Sequence, residues 1–222
     1  MKYIRKIFIL LIVSIFMLGI LASSKVVFSG YKEYRQAISE KNLEVILGEV
    51  KARENYVELK DISEDFLMAI VAIEDRRFLE HKGIDYKALI RALVKNIEAG
   101  EIVQGGSTIT QQLSKNLYFD SEQNIDRKIA ELFLAKDIER LYSKAEILEF
   151  YVNIIYYGNE SYGIYDATNG YFGVNPSEIT YDEATLLAGV PQAPSLYDLT
   201  KNMEGAMKKQ KYVEKAINEM LD

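Results

Sequence analysis

The chain has 222 residues, about half of them hydrophobic, which suits one domain with a real core and argues against disorder. Cysteine and tryptophan are absent and His81 is the only histidine, so disulfides, thiolate zinc sites, a cysteine nucleophile and a multi-histidine metal site are excluded. The formal net charge is −6, and without Lys2, Arg5 and Lys6 the remainder carries 24 basic against 33 acidic residues. A domain that acidic is a poor general nucleic-acid binder, so any anion site must be a local pocket of cations.

Lys2, Arg5 and Lys6 precede an uncharged run, Ile7 to Ala22, broken only by Ser14 and Gly19. Positive charge on the N-terminal side predicts that this end stays in the cytoplasm and that the rest is exported. Two readings of the run compete. A cleaved signal peptide would use Ala22-Ser23-Ser24 as its small-residue site, but its apolar core is normally only about 7–15 residues. A retained single-pass anchor over residues 1–24 is therefore the expectation. Tyr31 to Arg53 is mixed and charged, and residues 25–55 read as a juxtamembrane stalk, helical in part. The compact domain is expected over residues 56–222.

Ser63 is placed to cap a helix whose apolar run, Phe66 to Ile73, ends in Glu74-Asp75-Arg76-Arg77. Asp85 caps a second helix with Leu89, Ile90, Leu93, Val94 and Ile97 at three- and four-residue steps, stopping at Gly100. Gly105-Gly106 then leads into a helix expected over Ser107 to Leu117, with Ser107, Gln111 and Lys115 stacked on one face. A longer helix is expected from Ile125 to Leu141. Ser143 to Glu146 and Thr180 to Glu183 are capping boxes for two more, the second ending at Gly189 before Pro191. The last helix spans Glu204 to Leu221. The period is helical almost throughout, so the fold class is all-α or mostly α. Gly100 to Gly106 and Leu117 to Asn124 lack periodic apolar anchors and read as mobile loops.

Three segments carry chemistry. Glu74 closes an apolar helix, where desolvation raises a carboxyl toward a general-base range. A helix N-terminus near Lys115 suits an anionic phosphate. Arg127 and Glu131 share a helix face. Taken singly each has an ordinary account: a charged helix end, a solvated face and a surface ion pair worth a few tenths of a kcal/mol. His81 reads as a structural hydrogen-bonding residue, since no Gly-x-Ser-x-Gly elbow is present. Tyr151, Tyr156, Tyr157, Tyr162 and Tyr171 read as half-buried packing or the lining of a sugar groove.

The order of the motifs is more specific than any one of them. Glu74-Asp75-Arg76-Arg77-Phe78-x-x-His81-x-Gly83 is followed by Gly105-Gly106-Ser107-Thr108-Ile109-Thr110-Gln111-Gln112-Leu113-x-Lys115-Asn116 and by Arg127-Lys128-x-x-Glu131. Ile147-Leu148-Glu149-x-Tyr151-x-Asn153, Tyr162-Gly163-Ile164, Tyr171-Phe172-Gly173 and Leu187-Ala188-Gly189-x-Pro191-Gln192-Ala193-Pro194 continue the series. Together they resemble the peptidoglycan glycosyltransferases of glycosyltransferase family 51, from about Asp61 to Tyr197. The family's closing arginines before a Val-Leu pair are replaced here by Lys209-Gln210-Lys211-Tyr212-Val213-Glu214.

The resemblance implies a lysozyme-like, two-lobed helical domain whose smaller lobe dips into the membrane. It implies a monofunctional polymerase that joins lipid II units into glycan strands by β-1,4 bonds with inversion, releasing polyprenyl diphosphate. By position, Glu74 is the general base, and Lys115 and Arg127 contact the diphosphate. Glu131 holds a divalent cation (Mg or Mn) or positions the leaving group. Asp75, Phe78, His81, Ser107, Gln111, Gln112 and Asn116 support and orient the site, with Lys128 in the same substrate-facing set. No organic cofactor and no nucleic acid are implied. The partners implied are lipid II, the growing strand, the membrane and other cell-wall synthesis proteins, at the outer face of the cell membrane. A lysozyme-like hydrolase and an inactive membrane-anchored scaffold are the rival readings.

Overall fold

Helical periodicity dictates the architecture. A computed structural model describes residues 24–101, 104–119 and 124–221. Among them helices dominate and no strand forms, the sole extended pairing being an isolated antiparallel bridge between Tyr156 and Tyr162. In chain order these are α1 (24–40), α2 (Leu43–Lys51), a 3-10 turn (Leu59–Asp61), α3 (Glu64–Glu74) and α4 (Tyr86–Ala99). There follow α5 (Ile109–Tyr118), α6 (Ile125–Leu141), α7 (Lys144–Ile154), α8 (Ile164–Phe172), α9 (Tyr181–Ala188), α10 (Pro194–Tyr197) and α11 (Met203–Leu221).

The apolar run of α3 makes it the central helix. Phe66, Ala69 and Ile70 are completely buried, and α3 packs against both α9 and α11. Burying a side chain the size of Phe66 or Ile70 stabilises by roughly 1.5–3 kcal/mol, more than any single cap on this helix supplies. Ser63 stands at the N-cap of α3 but its side chain makes no capping bond; its N–H donates to the Pro176 carbonyl at 2.9 Å instead. A second group forms where α5 packs on α6 and α7. One continuous apolar cluster joins both groups, from Phe66 and Ile109 through Ile147 and Tyr151 to Val213.

Three helix starts are reciprocal capping boxes: Thr108 with Gln111, Ser143 with Glu146 and Thr180 with Glu183. The first corrects the expectation of a helix beginning at Ser107. Thr108 is the N-cap, so Ser107 lies outside the helix and the stacked face of Ser107, Gln111 and Lys115 does not form. Gln111 is buried and spends its Oε1 on the Thr108 N–H at 2.9 Å.

Residues 25–55, expected as a stalk, fold onto the domain. Leu43, Leu47 and Val50 of α2 join the main core. On α1, a Cβ added to Gly30 would lie 2.5 Å from Ile129 Cβ and 2.7 Å from the Asp126 carbonyl oxygen, so only glycine permits this crossing of α1 over α6. Tyr34 of α1 donates its hydroxyl to Asp137, and burial, reinforced by that carboxylate, pushes the phenol up to about 12. No helix among the described residues is long and apolar enough to cross a membrane. The expected anchor, Ile7 to Ala22, lies outside the described residues, as do parts of both expected mobile loops.

The second apolar helix, α4, packs differently from the rest. Of its residues only Ala92 is buried, while Tyr86, Leu89, Ile90, Leu93, Val94 and Ile97 are all exposed. Its ends are held by polar bonds. Asp85 caps it through the Ala88 N–H at 3.0 Å and pairs with Arg77, and Gly100 closes it in the left-handed region at φ 70°. Asn96 exchanges two hydrogen bonds with the Gln104 backbone, at 2.9 and 3.0 Å. Gly106 then passes so close that an added Cβ would lie 3.1 Å from Leu89 Cα, which accounts for one of the paired glycines.

Asp85 supplies a stability prediction. Burial pushes its carboxyl up, but the Arg77 guanidinium and the Ala88 amide more than reverse this, to about 2 from an ordinary 3.8. A depressed folded value contributes stability above the ordinary value and loses it as pH falls through 3.8 toward about 2. Asp85→Asn should cost on the order of 1–2 kcal/mol at neutral pH, a melting-point loss of roughly 2–8 °C. Thermal melts from pH 7 to pH 2 should show the gap to wild type closing at the acid end. A constant gap would mean that the charge is not what stabilises the joint.

Candidate active site

The core helix α3 carries its last residue, Glu74, to the edge of the apolar interior. The residue keeps a partly accessible edge, yet its Oε1 is buried without a hydrogen-bond partner among the described residues. Oε2 accepts one bond, from Gln112 Nε2 at 2.7 Å. Burial pushes the Glu74 carboxyl above its ordinary value; the Gln112 bond and the positive charge of Lys209 act downward, and Asp75 acts upward. A carboxylate so desolvated and so lightly bonded is a better base than one in water.

The neighbouring motif residues face elsewhere. Asp75 accepts from His81 Nε2 at 2.9 and 3.0 Å and from the Ile109 N–H, the first of α5, at 3.0 Å. It therefore fastens the end of α3 to the start of α5, and His81 is its buried partner. Phe78 is buried beneath Lys144, whose Nζ lies 4.2 Å from the ring centre. Asp75, Phe78, His81 and Gln111 are thus enclosed supports, and Gln112 is the one of the predicted set that touches Glu74. Asn116, on the exposed side of α5, donates to the Gln112 carbonyl at 2.8 Å.

The Arg127–Glu131 pair is not the solvated surface pair that spacing alone allows. Arg127 is 7% exposed and Glu131 1%, with Nε and Oε1 3.3 Å apart. Lys128 Nζ reaches the other Glu131 oxygen at 2.7 Å and Ser107 Oγ at 2.8 Å. Ser107 is thereby returned to the site by Lys128 rather than by a shared helix face. Lys115, half-buried on α5, forms no ion pair among the described residues.

This donor set does not fit the divalent cation expected at Glu131. Both its oxygens are engaged by side-chain cations, and no three His, Cys, Asp or Glu residues among those described are grouped to hold a metal ion.

Two residues near Glu74 were given no place beside it by the sequence, Tyr151 having been read as packing or a sugar-groove lining. Lys209 of α11 is 7% exposed, bonds to Gln192 Oε1 and lies 5.9 Å from the Tyr197 ring centre. Burial pulls its pKa down, and the negative charge of Glu74 works upward. The segment was visible as a departure from the family's arginines, but nothing local points it at Glu74. Tyr151 is fully buried and donates to Gln112 Oε1 at 3.1 Å. Of the other tyrosines, Tyr157 is core and Tyr171 bonds to its carbonyl, while Tyr156 and Tyr162 are exposed, their rings tilted by 38° with centres 4.7 Å apart. A concavity of about 480 Å³ lined by Glu58, Leu59, Lys60, Ile62, Glu64, Leu67 and Glu149 includes none of the candidate residues.

A helical domain with one desolvated, under-bonded carboxylate, and with lysine and arginine on the adjoining packed helices α5 and α6, has the make-up of a group-transfer enzyme for an anionic substrate. Comparison with known proteins gives the lineage. The chain belongs to the transglycosylase family, glycosyltransferase family 51, whose model matches residues 40–218. It is similar to penicillin-binding protein 1A of Aquifex aeolicus (strain VF5), 46% identical over 164 residues, covering 74% of this chain and 23% of that protein. It is also similar to penicillin-binding protein 1A of Neisseria gonorrhoeae, 42% identical over 170 residues, and to that of Neisseria cinerea, 43% identical over the same length. Each of these matches covers 77% of this chain and 21% of the relative, so the chain spans less than a quarter of the relatives' length.

The buried pair can be tested by stability. Glu131→Ala leaves Arg127 buried without its carboxylate and should cost on the order of 3 kcal/mol in chemical denaturation. Lys128→Ala, at a side chain 48% exposed, should cost less than about 1 kcal/mol. Equal losses in the two variants would place the Arg127–Glu131 pair in solvent.

Proposed function

We propose that this protein is a peptidoglycan polymerase that joins lipid II units by β-1,4 bonds with inversion, releasing polyprenyl diphosphate, in cell-wall synthesis. The observation that carries the reading is Glu74: a buried carboxylate, at the family's position for the base, with one oxygen unpartnered among the described residues. Glu74 takes the proton from the 4-hydroxyl of the acceptor sugar as that oxygen attacks the anomeric carbon of the donor. The bond from that carbon to the diphosphate oxygen breaks, and the electron pair leaves with the lipid diphosphate. Inversion needs one base on the attacking side. The leaving side needs no general acid, because a diphosphate is a stable anion that fixed cations can receive. Lys115, Arg127 and Lys128 are assigned that role, and Glu131 holds the last two in place.

The domain is read as the lysozyme-like, two-lobed fold of the family, with α4 in the smaller lobe. Its exposed apolar stripe supports a face that meets the acyl region of a membrane, since soluble surfaces rarely leave such a stripe open. An N-terminal anchor would confine the enzyme to the surface that carries its lipid-linked substrate, on the outer face of the cell membrane. Lipid II, the growing strand and other cell-wall proteins are its proposed partners. The rival hydrolase shortens glycan and has no use for Lys115 together with Arg127.

Detergent-solubilised protein incubated with purified lipid II should yield a ladder of products that a muramidase digests. Intact lipid II or shortened glycan would overturn the assignment. Glu74→Gln should fold normally and lose at least about 100-fold in rate, the ordinary contribution of a general base; substantial residual turnover removes Glu74 from that role. Lys115→Ala should weaken binding of a lipid-diphosphate analogue by roughly tenfold or more, as loss of a charge-assisted hydrogen bond implies. Unchanged affinity would place the diphosphate elsewhere.

A further inference from the structure

Glu74 is held by a chain of two hydrogen bonds that begins in the core. Tyr151 of α7, completely buried, donates its hydroxyl to Gln112 Oε1 at 3.1 Å; Gln112 of α5 donates Nε2 to Glu74 Oε2 at 2.7 Å. Three helices each supply one member. A primary amide has an accepting end and a donating end; an ionised carboxylate only accepts and so takes the donating end, leaving the accepting end for the phenol hydroxyl. The reversed amide would set its carbonyl oxygen against Glu74 Oε2, two acceptors with no proton between them. The carboxylate therefore sets the sense of the amide, the tyrosine hydroxyl holds the amide in place from its far end, and the amide fixes one oxygen of the carboxylate. The other oxygen, Oε1, is left buried and unpartnered among the described residues.

We propose that Tyr151 is a positioning residue for the transfer reaction, acting through Gln112 to clamp Glu74 Oε2 and so hold the carboxylate that takes the acceptor proton. The inference rests on Glu74 being the base. The other groups facing Glu74 do not replace the clamp. Asp75 is engaged by His81 and the Ile109 amide, and Lys209 of α11 contributes charge while its ammonium bonds Gln192. The hydroxyl of Tyr157, the other buried tyrosine coupled to Glu74, donates to the Val152 carbonyl at 3.2 Å. Burial, and then the charge of Glu74, push the Tyr151 phenol well above its ordinary value, so it remains a donor at working pH. A hydrogen bond to the ionised form of Glu74 lowers its pKa; releasing the amide must raise it.

The test is the pH dependence of lipid II polymerisation by wild type, Tyr151→Phe, Gln112→Ala, the double variant and Glu74→Gln. Tyr151→Phe should lower kcat roughly 3- to 10-fold with KM unchanged, and move the acid limb of kcat/KM upward by about half a unit. The double variant should be no slower than Gln112→Ala alone, since both substitutions break one chain. A Tyr151→Phe profile that superimposes on wild type, or losses that multiply in the double variant, overturns the proposal. If Tyr151→Phe fails to fold, Gln112→Ala decides, and an unmoved acid limb there overturns it as well. Glu74→Gln separates the two levels of the argument. Activity in that variant defeats the assignment of the base, whereas an inactive Glu74→Gln beside an unaltered Tyr151→Phe defeats only the clamp.

Discussion

The site depends on one buried carboxylate whose bonds are spent on holding the fold together. Asp75 caps the backbone at the start of α5 and holds His81, so the C-terminus of α3 and the N-terminus of α5 meet at a single side chain. Burying that charge is tolerable because its acceptors are occupied and because a helix N-terminus favours a negative group. The joint sets the geometry of everything next to it. Glu74 precedes Asp75 in the chain, and Gln112 lies one turn into α5, so their contact follows from the neighbouring bond rather than from any affinity of their own.

The buried carboxylates of this region differ in how fully they are satisfied, and the difference separates structure from chemistry. Asp75 has three bonds at 2.9–3.0 Å. Glu131 sits between Arg127 and Lys128, one cation to each oxygen. Glu74 has one bond and, among the described residues, one oxygen without a partner. In a chain with net charge −6, Arg127, Lys128 and Lys209 stand beside these acids and balance them. The chain as a whole therefore repels anions while this corner of it does not.

Legibility in the sequence followed the range of the interactions. The bounds of α6 and the capping boxes at Ser143 and Thr180 were readable because each is decided within four residues. The start of α5 was misplaced among Ser107, Thr108 and Thr110. The signal was present, since only Thr108 has a glutamine three residues on, but the glycine pair drew the helix start forward. The expected stalk was misjudged because the partners of Leu43 and Leu47 lie far along the chain and α2 is too short for its pattern to announce a core. Tyr151 and Lys209 were named within motifs but not as neighbours of Glu74, because what brings each of them there is tertiary packing rather than local spacing. Family resemblance put Gln112 in the site without saying that its amide faces Glu74.

The attachment of α4 has a consequence for how the molecule opens. Its outward apolar stripe contributes little to the core, so its hold on the domain is concentrated in Asp85 with Arg77 at one end and Asn96 with Gln104 near the other. Such a helix is a cooperative unit of its own, released by breaking a few polar bonds while α3, α7 and α11 stay folded. Its amides would exchange with solvent through that partial opening, at a free energy well below that of global unfolding, and an amphiphile covering the stripe would slow them selectively.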